Sequence, residues 1–534
     1  MFGVCSCTYI TTMSVSLMHM VYRKKDGFEY ASAGRSVRDG KNVKKEYIYI
    51  GKVLDKEKGV YENRRMGVVG FDLDKGVFTK PALEDVPRRT PEEKLILDFG
   101  DAYFLDAFMR SCGLMQCVDA VGCSVPDSLR SLVLYYILGK EASCNAGTWY
   151  EGSYARILYP NADLDGRRVS DIYGDIGGEG NWRSFFSEYI PLTTGGADKV
   201  NVVIDSTGLP NSVHMGITAV NNHGGVVSDE VRLILVVQKE TGMPVFMRYV
   251  PGNVNDASTL VRTMTELGAQ GVGAAYALID SGYFTGPNVN EMYEAGLDFM
   301  TRLPMNLNLY KDLKEEILPD IRTRENFTLY NDRKLFIRKA ECELAPGRKG
   351  YAYAVLDTDR KYLEDGRGAA KAKAGGMSDA EAYDSMADNG FFVLASNMDI
   401  PNKELLPTYY VRQVIEQFID VGKNYTGMLP LRVHSEETFR GHILVSFIAA
   451  AVVQRLQNSL KDKGEVKGRG KNKGRVLDKA PTVTSALMSL RNQKCKVYDD
   501  TILPCEAQAI ANKAYTLLGI DVPYAIPLKN KGGG

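Results

Sequence analysis

The sequence predicts an α/β fold built around a mixed sheet, and three observations carry that expectation. Apolar, β-branched runs such as VNVVID and AAYALID are separated by amphipathic stretches such as DASTLVRTMTEL, which is the pattern of strands spaced by helices. VRLILVVQ and MPVFMRYV are joined by the turn-forming KETG, so antiparallel hairpins stand beside crossover-connected strands. A chain of 534 residues with 44% hydrophobic content is long enough for several domains of ordinary size.

In chain order, residues 1–89 read as a basic, β-rich arm. From Tyr22 to Met66 there are 13 Lys/Arg against 7 Asp/Glu, interleaved with the strand-like KKEYIYIGKV. The opening MFGVCSCTYITTMSVSLMHM is unlike the rest, and translation is expected to begin at Met13, Met18 or Met20. Residues 90–195 read as helical, through EEKLILDFGDAYFLDAFMRSCGL, SLRSLVLYYILGK and GRRVSDIYGDIG, with Arg167 and Arg168 an exposed basic pair.

Residues 196–304 open the central unit. A strand stops at Asp205, the hairpin follows, then a helix capped by Asp256, a strand ending at Asp280, a helix near PNVNEMYEAG and a strand DFMTRL. Asp229 and Asp256 take turn or capping roles. Residues 305–390 form a β-rich insertion, with the alternating KLFIRKAECEL and YAYAVLDTDRKYL ahead of an Ala-, Lys-, Gly- and Asp-rich passage. FFVLASN re-enters the central unit, whose second part spans 391–460 and ends in the apolar helix FRGHILVSFIAAAVVQRLQ, expected to pack on the sheet. Residues 461–534 are a basic linker, with seven Lys/Arg against two acids from Lys461 to Arg475, and an appendage of a strand or two and a helix.

Tyr409, Arg412, Glu416 and Lys423 form a Tyr-x2-Arg-x3-Glu-x6-Lys array in PTYYVRQVIEQFIDVGKNY. On one helix the four fall within an arc of about 60°. Val411, Val414, Ile415, Phe418 and Val421 take the opposite side. An amphipathic helix with a solvated charged face has the same stripe, and Asp205 and Asp280, taken singly, are ordinary strand-end turn chemistry. Together with Glu416, the two aspartates become three carboxylates on two strands and a helix. Such a set can hold two divalent metals roughly 4 Å apart, because hard cations take oxygen ligands.

On these residues, Asp205 in a D-x-T strand end, Asp280 in a D-x-G-[YF] strand end and the four-residue array, the chain resembles the DDE transposases of bacterial insertion sequences, in the branch named for its YREK signature. The resemblance runs roughly from Val200 to Gln457. It implies an RNase H-like catalytic core with Asp205, Asp280 and Glu416 as catalytic metal ligands. It also implies Mg²⁺ as the cofactor, as two ions, with Mn²⁺ able to substitute. Tyr409, Arg412 and Lys423 are then expected to grip DNA phosphates, Arg412 by a bidentate contact and Lys423 as a point charge. The implied partners are double-stranded DNA, as terminal inverted repeats and target, and a second copy of the chain in a synaptic homodimer. End recognition is assigned to the helical region and the N-terminal arm. Relatives that pass through hairpin intermediates carry an insertion of this kind, one of them with a base-stacking Trp. Here Trp149 and Trp182 both precede Asp205, leaving Phe327, Tyr330 or Tyr351 to supply an aromatic face.

The remaining composition narrows the alternatives. The 66 basic and 66 acidic residues cancel, so DNA binding rests on the local basic excesses. No run of 18 predominantly apolar residues and no basic leader points to a membrane span or secretory signal. The nine cysteines lack zinc spacing and read as reduced, buried thiols, in keeping with a cytoplasmic, nucleoid-associated location. His434 and His442 read as core or surface histidines, and no Ser-His-Asp triad, phosphate loop or dinucleotide fingerprint is present. A non-catalytic DNA-binding relative and a plain metal-dependent nuclease remain as alternative functions.

Overall fold

The computed structural model describes residues 17–528 apart from 26–27, 40–41, 82–94, 140, 212–214, 224–225, 255–257, 465, 468–475 and 499. Met13, Asp256 and most of the basic stretch ending at Arg475 lie outside the described residues.

The centre is a mixed sheet of ten strands. Its spatial order is Pro244–Pro251, Val226–Gln238, Lys199–Pro210, Gly273–Ile279, Asp298–Arg302, Phe391–Ser396, Arg348–Asp357, Arg333–Ala345 and Phe327–Tyr330, with Ala219–His223 paired to Val226–Gln238. Val226–Gln238 runs antiparallel to both of its neighbours, Pro244–Pro251 and Lys199–Pro210. Gly273–Ile279 then joins Lys199–Pro210 in parallel and Asp298–Arg302 joins it in parallel in turn. The parallel joins need crossovers, which the helices Leu260–Ala269 and Gly286–Glu294 supply. Strands with both faces covered are apolar at nearly every position, and Leu233 to Val237, Ala277 to Ile279 and Val393 to Ala395 are all fully buried.

From residue 305 to 390 the chain extends this sheet at its far edge, because Phe391–Ser396 pairs with Asp298–Arg302 on one side and Arg348–Asp357 on the other. The Ala- and Lys-rich passage is a helical pair, Thr358–Gly375 and Asp379–Met386. Asp357 accepts from the Asp359 and Arg360 amides, and Ser378 with Glu381 closes a capping box, so each helix start is hydrogen-bonded locally.

The N-terminal region is a separate six-stranded antiparallel meander from His19 to Thr79 with its own small core of Ala31, Ala33, Ile50, Tyr61 and Val69. Three further expectations are corrected. LILD was expected to be helical, yet Leu95–Asp98 is a strand paired with Lys494–Val497, a partner almost 400 residues away that no local pattern shows. Asp229 lies within a strand rather than a turn. The long helix Glu436–Gly464 packs chiefly on other helices: Phe447 meets Phe186, Tyr189 and Phe418 edge-on. Gly441 is required there, since a Cβ would meet the Tyr173 carbonyl oxygen at 2.1 Å. This helix is long and apolar enough to cross a membrane, but 67% of its apolar window is buried within the protein, as in a core helix.

Candidate active site

Register alone brings the two aspartates together. Ile204 and Ile279 are direct neighbours on adjacent parallel strands, and the next residue on each is Asp205 or Asp280. Parallel neighbours lie about 4.8 Å apart, so both carboxylates emerge at one place on the sheet. Lys199–Pro210 does not stop at Asp205, as the sequence implied. It runs on to Pro210 because Val226–Gln238 stays paired with it, whereas Gly273–Ile279 ends one residue before Asp280.

Arg412 joins them. Its Nη1 donates to Asp280 Oδ1 at 2.5 Å and its Nη2 to Asp205 Oδ2 at 3.1 Å, while its Nε stands 3.9 Å from Glu416 Oε1. One guanidinium therefore neighbours all three of the expected carboxylates. Asp205 is only 9% exposed. Burial pushes its carboxyl up, Arg412 pulls it down and Asp280 pushes it up again, with a net rise. Burial works against the charge of Arg412, but Asp205 and Asp280 outweigh it and hold the guanidinium above its ordinary range.

The four-residue array does not lie on one helix. Asn402–Tyr410 and Gln413–Tyr425 are separate, with Val411 and Arg412 between them. Both linking residues keep helical dihedrals, but the hydrogen bonds tighten to three-residue spacing: Arg412 N–H donates to Tyr409 O and Ile415 N–H to Arg412 O, each at 3.1 Å. Pro407, which lacks an N–H, weakens the last turns of the first helix. The apolar side holds, with Ile415 and Phe418 fully buried. Arg412 is turned inward onto the aspartates, while Glu416 in the first turn of the second helix keeps 60% of its side chain exposed.

Tyr409 is half-buried beside this cluster, its ring 6.4 Å from Phe392 and 5.6 Å from Tyr410, which stacks on Tyr330 at 5.4 Å. Burial raises the Tyr409 phenol and Arg412 opposes the rise. Of the three aromatics expected in the 305–390 segment, Tyr330 is the one that joins this wall. Lys423 Nζ donates to the Gly208 carbonyl at 2.9 Å, and burial lowers its pKa while Glu230 raises it.

Glu230 was not anticipated from sequence. It is 5% exposed, accepts from Asn221 Nδ2 at 2.5 Å and lies 3.8 Å from Arg232 Nη2. Gly208 makes room for it, because a Cβ there would meet Glu230 Oε2 at 2.2 Å. The available signal was two charged residues, Glu230 and Arg232, opening an otherwise apolar run. His442 is a core histidine, its Nδ1 2.7 Å from the Tyr136 hydroxyl. The described cysteines are all unpaired, Cys117 and Cys495 buried, Cys144 and Cys505 exposed.

The donor set suits a hard divalent cation in kind, being three carboxylates and no sulfur or imidazole. In place, the positive charge between Asp205 and Asp280 is the Arg412 guanidinium. Among the described residues no three His, Cys, Asp or Glu side chains stand at metal-ligating spacing.

No curated protein matches the chain. A solved piggyBac transposase in a synaptic complex with hairpin DNA is similar at 11% identity and a TM-score of 0.36, over 64% of this chain and 68% of that one. Residues 197–452, which contain the whole ten-stranded sheet and the Tyr409, Arg412, Glu416 and Lys423 array, match the family of the transposase DDE domain.

Proposed function

We propose that this protein is a DDE transposase that cuts DNA at the ends of an insertion sequence and joins the freed 3′-OH ends to target DNA. The observation that carries the reading is the meeting of Asp205, Asp280 and Glu416 around Arg412, since residues up to 211 positions apart converge on one charged centre. The match of residues 197–452 to the transposase DDE domain supports it.

In this reading the strands Pro244–Pro251, Val226–Gln238, Lys199–Pro210, Gly273–Ile279 and Asp298–Arg302 are the sheet of an RNase H-like core, interrupted by the 305–390 segment. Asp205, Asp280 and Glu416 are the residues that would hold Mg²⁺. When bound, the metal supplies Lewis-acid activation of water and a clamp on attacking and leaving oxygens. The chain's own contribution is positional. The paired strands fix both aspartates, and the Gln413–Tyr425 helix carries Glu416 in its first turn, where the helix dipole favours a carboxylate. Arg412 and Lys423 reach DNA phosphates by exchanging their present partners, the aspartates and the Gly208 carbonyl, and Tyr409 lines the same place. The partners are double-stranded element ends and target DNA, held by a synaptic homodimer.

The test is cleavage of a plasmid carrying the DNA that flanks the gene, with Mg²⁺, Mn²⁺ or Ca²⁺, by the wild-type protein and by Glu416→Gln. Metal-dependent cuts at the element borders, lost in the variant, are expected. Binding without cutting in both proteins would instead establish a non-catalytic DNA-binding relative.

A further inference from the structure

The N-terminal meander has two unlike faces. Register places Met20 opposite Ala33, Tyr22 opposite Ala31 and Ala33 opposite Ile48, and this face closes over the small core. The acids on that side are consumed locally, Glu46 by Arg35 at 2.7 Å and Glu29 by Lys56 at 3.1 Å.

The opposite face is built differently. Arg23 stands opposite Tyr30, Tyr30 opposite Lys52, Ser32 opposite Tyr49, Gly34 opposite Tyr47 and Ser36 opposite Lys45. Neighbours across a rung point to the same side, so three tyrosines share one surface with Arg23, Lys45 and Lys52. Tyr47 is 51% exposed and Tyr49 48%. Gly34 lets the Tyr47 ring lie across the neighbouring strand, since a Cβ there would meet its Cε1 at 3.0 Å. The Arg23 guanidinium stands 6.0 Å from the centre of the same ring. Glu62 on the next strand stands opposite Lys52 and shares this face, and the Lys52 ammonium lies 3.5 Å over the centre of the Phe28 ring, so three cations face one acid here.

We propose that this open face binds single-stranded DNA, with bases stacked on Tyr47 and Tyr49 and phosphates held by Arg23, Lys45 and Lys52. Exposed tyrosines spaced two residues apart on one strand repeat at about 7 Å, a spacing that unstacked nucleotides can follow. An aromatic face needs unpaired bases, because the bases of a duplex already stack on one another. Arg23, Lys45 and Lys52 outnumber Glu62 on this face, and that positive excess supplies the charge complementarity that a stacking face alone lacks. The meander carries its own core, so the inference goes beyond the carboxylate site and does not depend on it.

The test uses the full-length chain in EDTA, so that no cutting intervenes, with fluorescence anisotropy of a labelled oligo-dT of about 20 nucleotides and of a duplex of the same length. The wild-type protein is expected to bind oligo-dT. Tyr47→Ala/Tyr49→Ala is expected to weaken that binding at least about tenfold, while Tyr47→Phe/Tyr49→Phe stays within about twofold. Duplex binding is expected to change by less than about twofold in both variants. If far-UV circular dichroism shows that the alanine pair fails to fold, Tyr47→Leu/Tyr49→Leu removes the ring and keeps the bulk. Absence of oligo-dT binding by the wild type, or equal binding by the variant without rings, would overturn the proposal. So would equal loss in the phenylalanine pair, which would assign the contact to the hydroxyls, or parallel loss of duplex, which would assign the face to double-stranded DNA. Loss of border cleavage by Glu416→Gln tests the catalytic reading separately and leaves oligo-dT binding unchanged.

Discussion

The Arg412 guanidinium holds Asp280 at 2.5 Å and Asp205 at 3.1 Å, so two carboxylates fixed by neighbouring strands share one cation. Removing that cation leaves two like charges side by side with Asp205 buried. Arg412→Ala is expected to destabilise the protein by about 1–3 kcal/mol in denaturant melts without divalent metal, a value below that of a fully buried pair because Asp280 is partly exposed. Mg²⁺ is expected to stabilise this variant more than the wild type, where the guanidinium competes for the same carboxylates. Equal Mg²⁺ effects on both proteins would count against that competition.

At Asp205 the cost of burial is set against the role proposed for it. Burial holds its carboxyl above the ordinary aspartate value. A raised carboxyl binds its proton more tightly in the folded state, so stability falls as pH rises through the interval between the ordinary and the raised value. Asp205→Asn removes this term. The variant is expected to be at least as stable as the wild type at pH 7 and to have a flatter acid limb, while losing cleavage by about 10³-fold or more. A less stable variant at pH 7 would mean that the pairing with Arg412 outweighs burial.

His442 gives a second pH dependence of opposite sign. Burial lowers its pKa to about 4, with a smaller opposing contribution from the Met428 carbonyl. A lowered histidine contributes stability that is complete above about pH 6.5 and is lost as pH falls toward 4, at most about 3 kcal/mol for one group. His442→Gln is expected to flatten the melting profile over that interval.

Lys423 bonds the Gly208 carbonyl at 2.9 Å, just beyond Asp205 on the same strand. Lys423→Met is expected to cost about 1 kcal/mol of stability through the lost hydrogen bond. If Lys423 also reaches a phosphate once DNA is bound, the slope of log affinity against log salt falls by about one in the variant. An unchanged slope would restrict Lys423 to holding the strand.

Close packing offers a check on the fold itself. Gly441→Ala places a methyl against the Tyr173 carbonyl oxygen and is expected to destabilise by about 1–3 kcal/mol.

The residues that could be read from sequence are those set by short-range pattern. The apolar runs before Asp205 and Asp280 are strands, KETG is a hairpin turn, and Ile415 and Phe418 are buried. What could not be read depends on distant partners. Leu95–Asp98 is a strand because Lys494–Val497 lies beside it. Lys199–Pro210 outruns Asp205 because its antiparallel neighbour continues. The tightened turn at Val411 and Arg412 turns the arginine inward, and a helical wheel with constant pitch does not contain it. The pair Thr358–Gly375 and Asp379–Met386 did carry local signals, Asp357 ahead of the first helix and Ser378 with Glu381 at the second, and composition masked them.

The most direct test of the central claim is strand transfer. A labelled oligonucleotide duplex carrying the element end with a free 3′-OH is mixed with supercoiled target plasmid and Mg²⁺, and covalently joined product is measured for the wild type, Asp205→Asn and Glu416→Gln. Joined product from the wild type alone, absent from both variants, is the result expected of a transposase centred on Asp205, Asp280 and Glu416. Plasmid cutting without joining would assign the protein to the metal-dependent nucleases, and joining undiminished in either variant would show that the chemistry lies elsewhere.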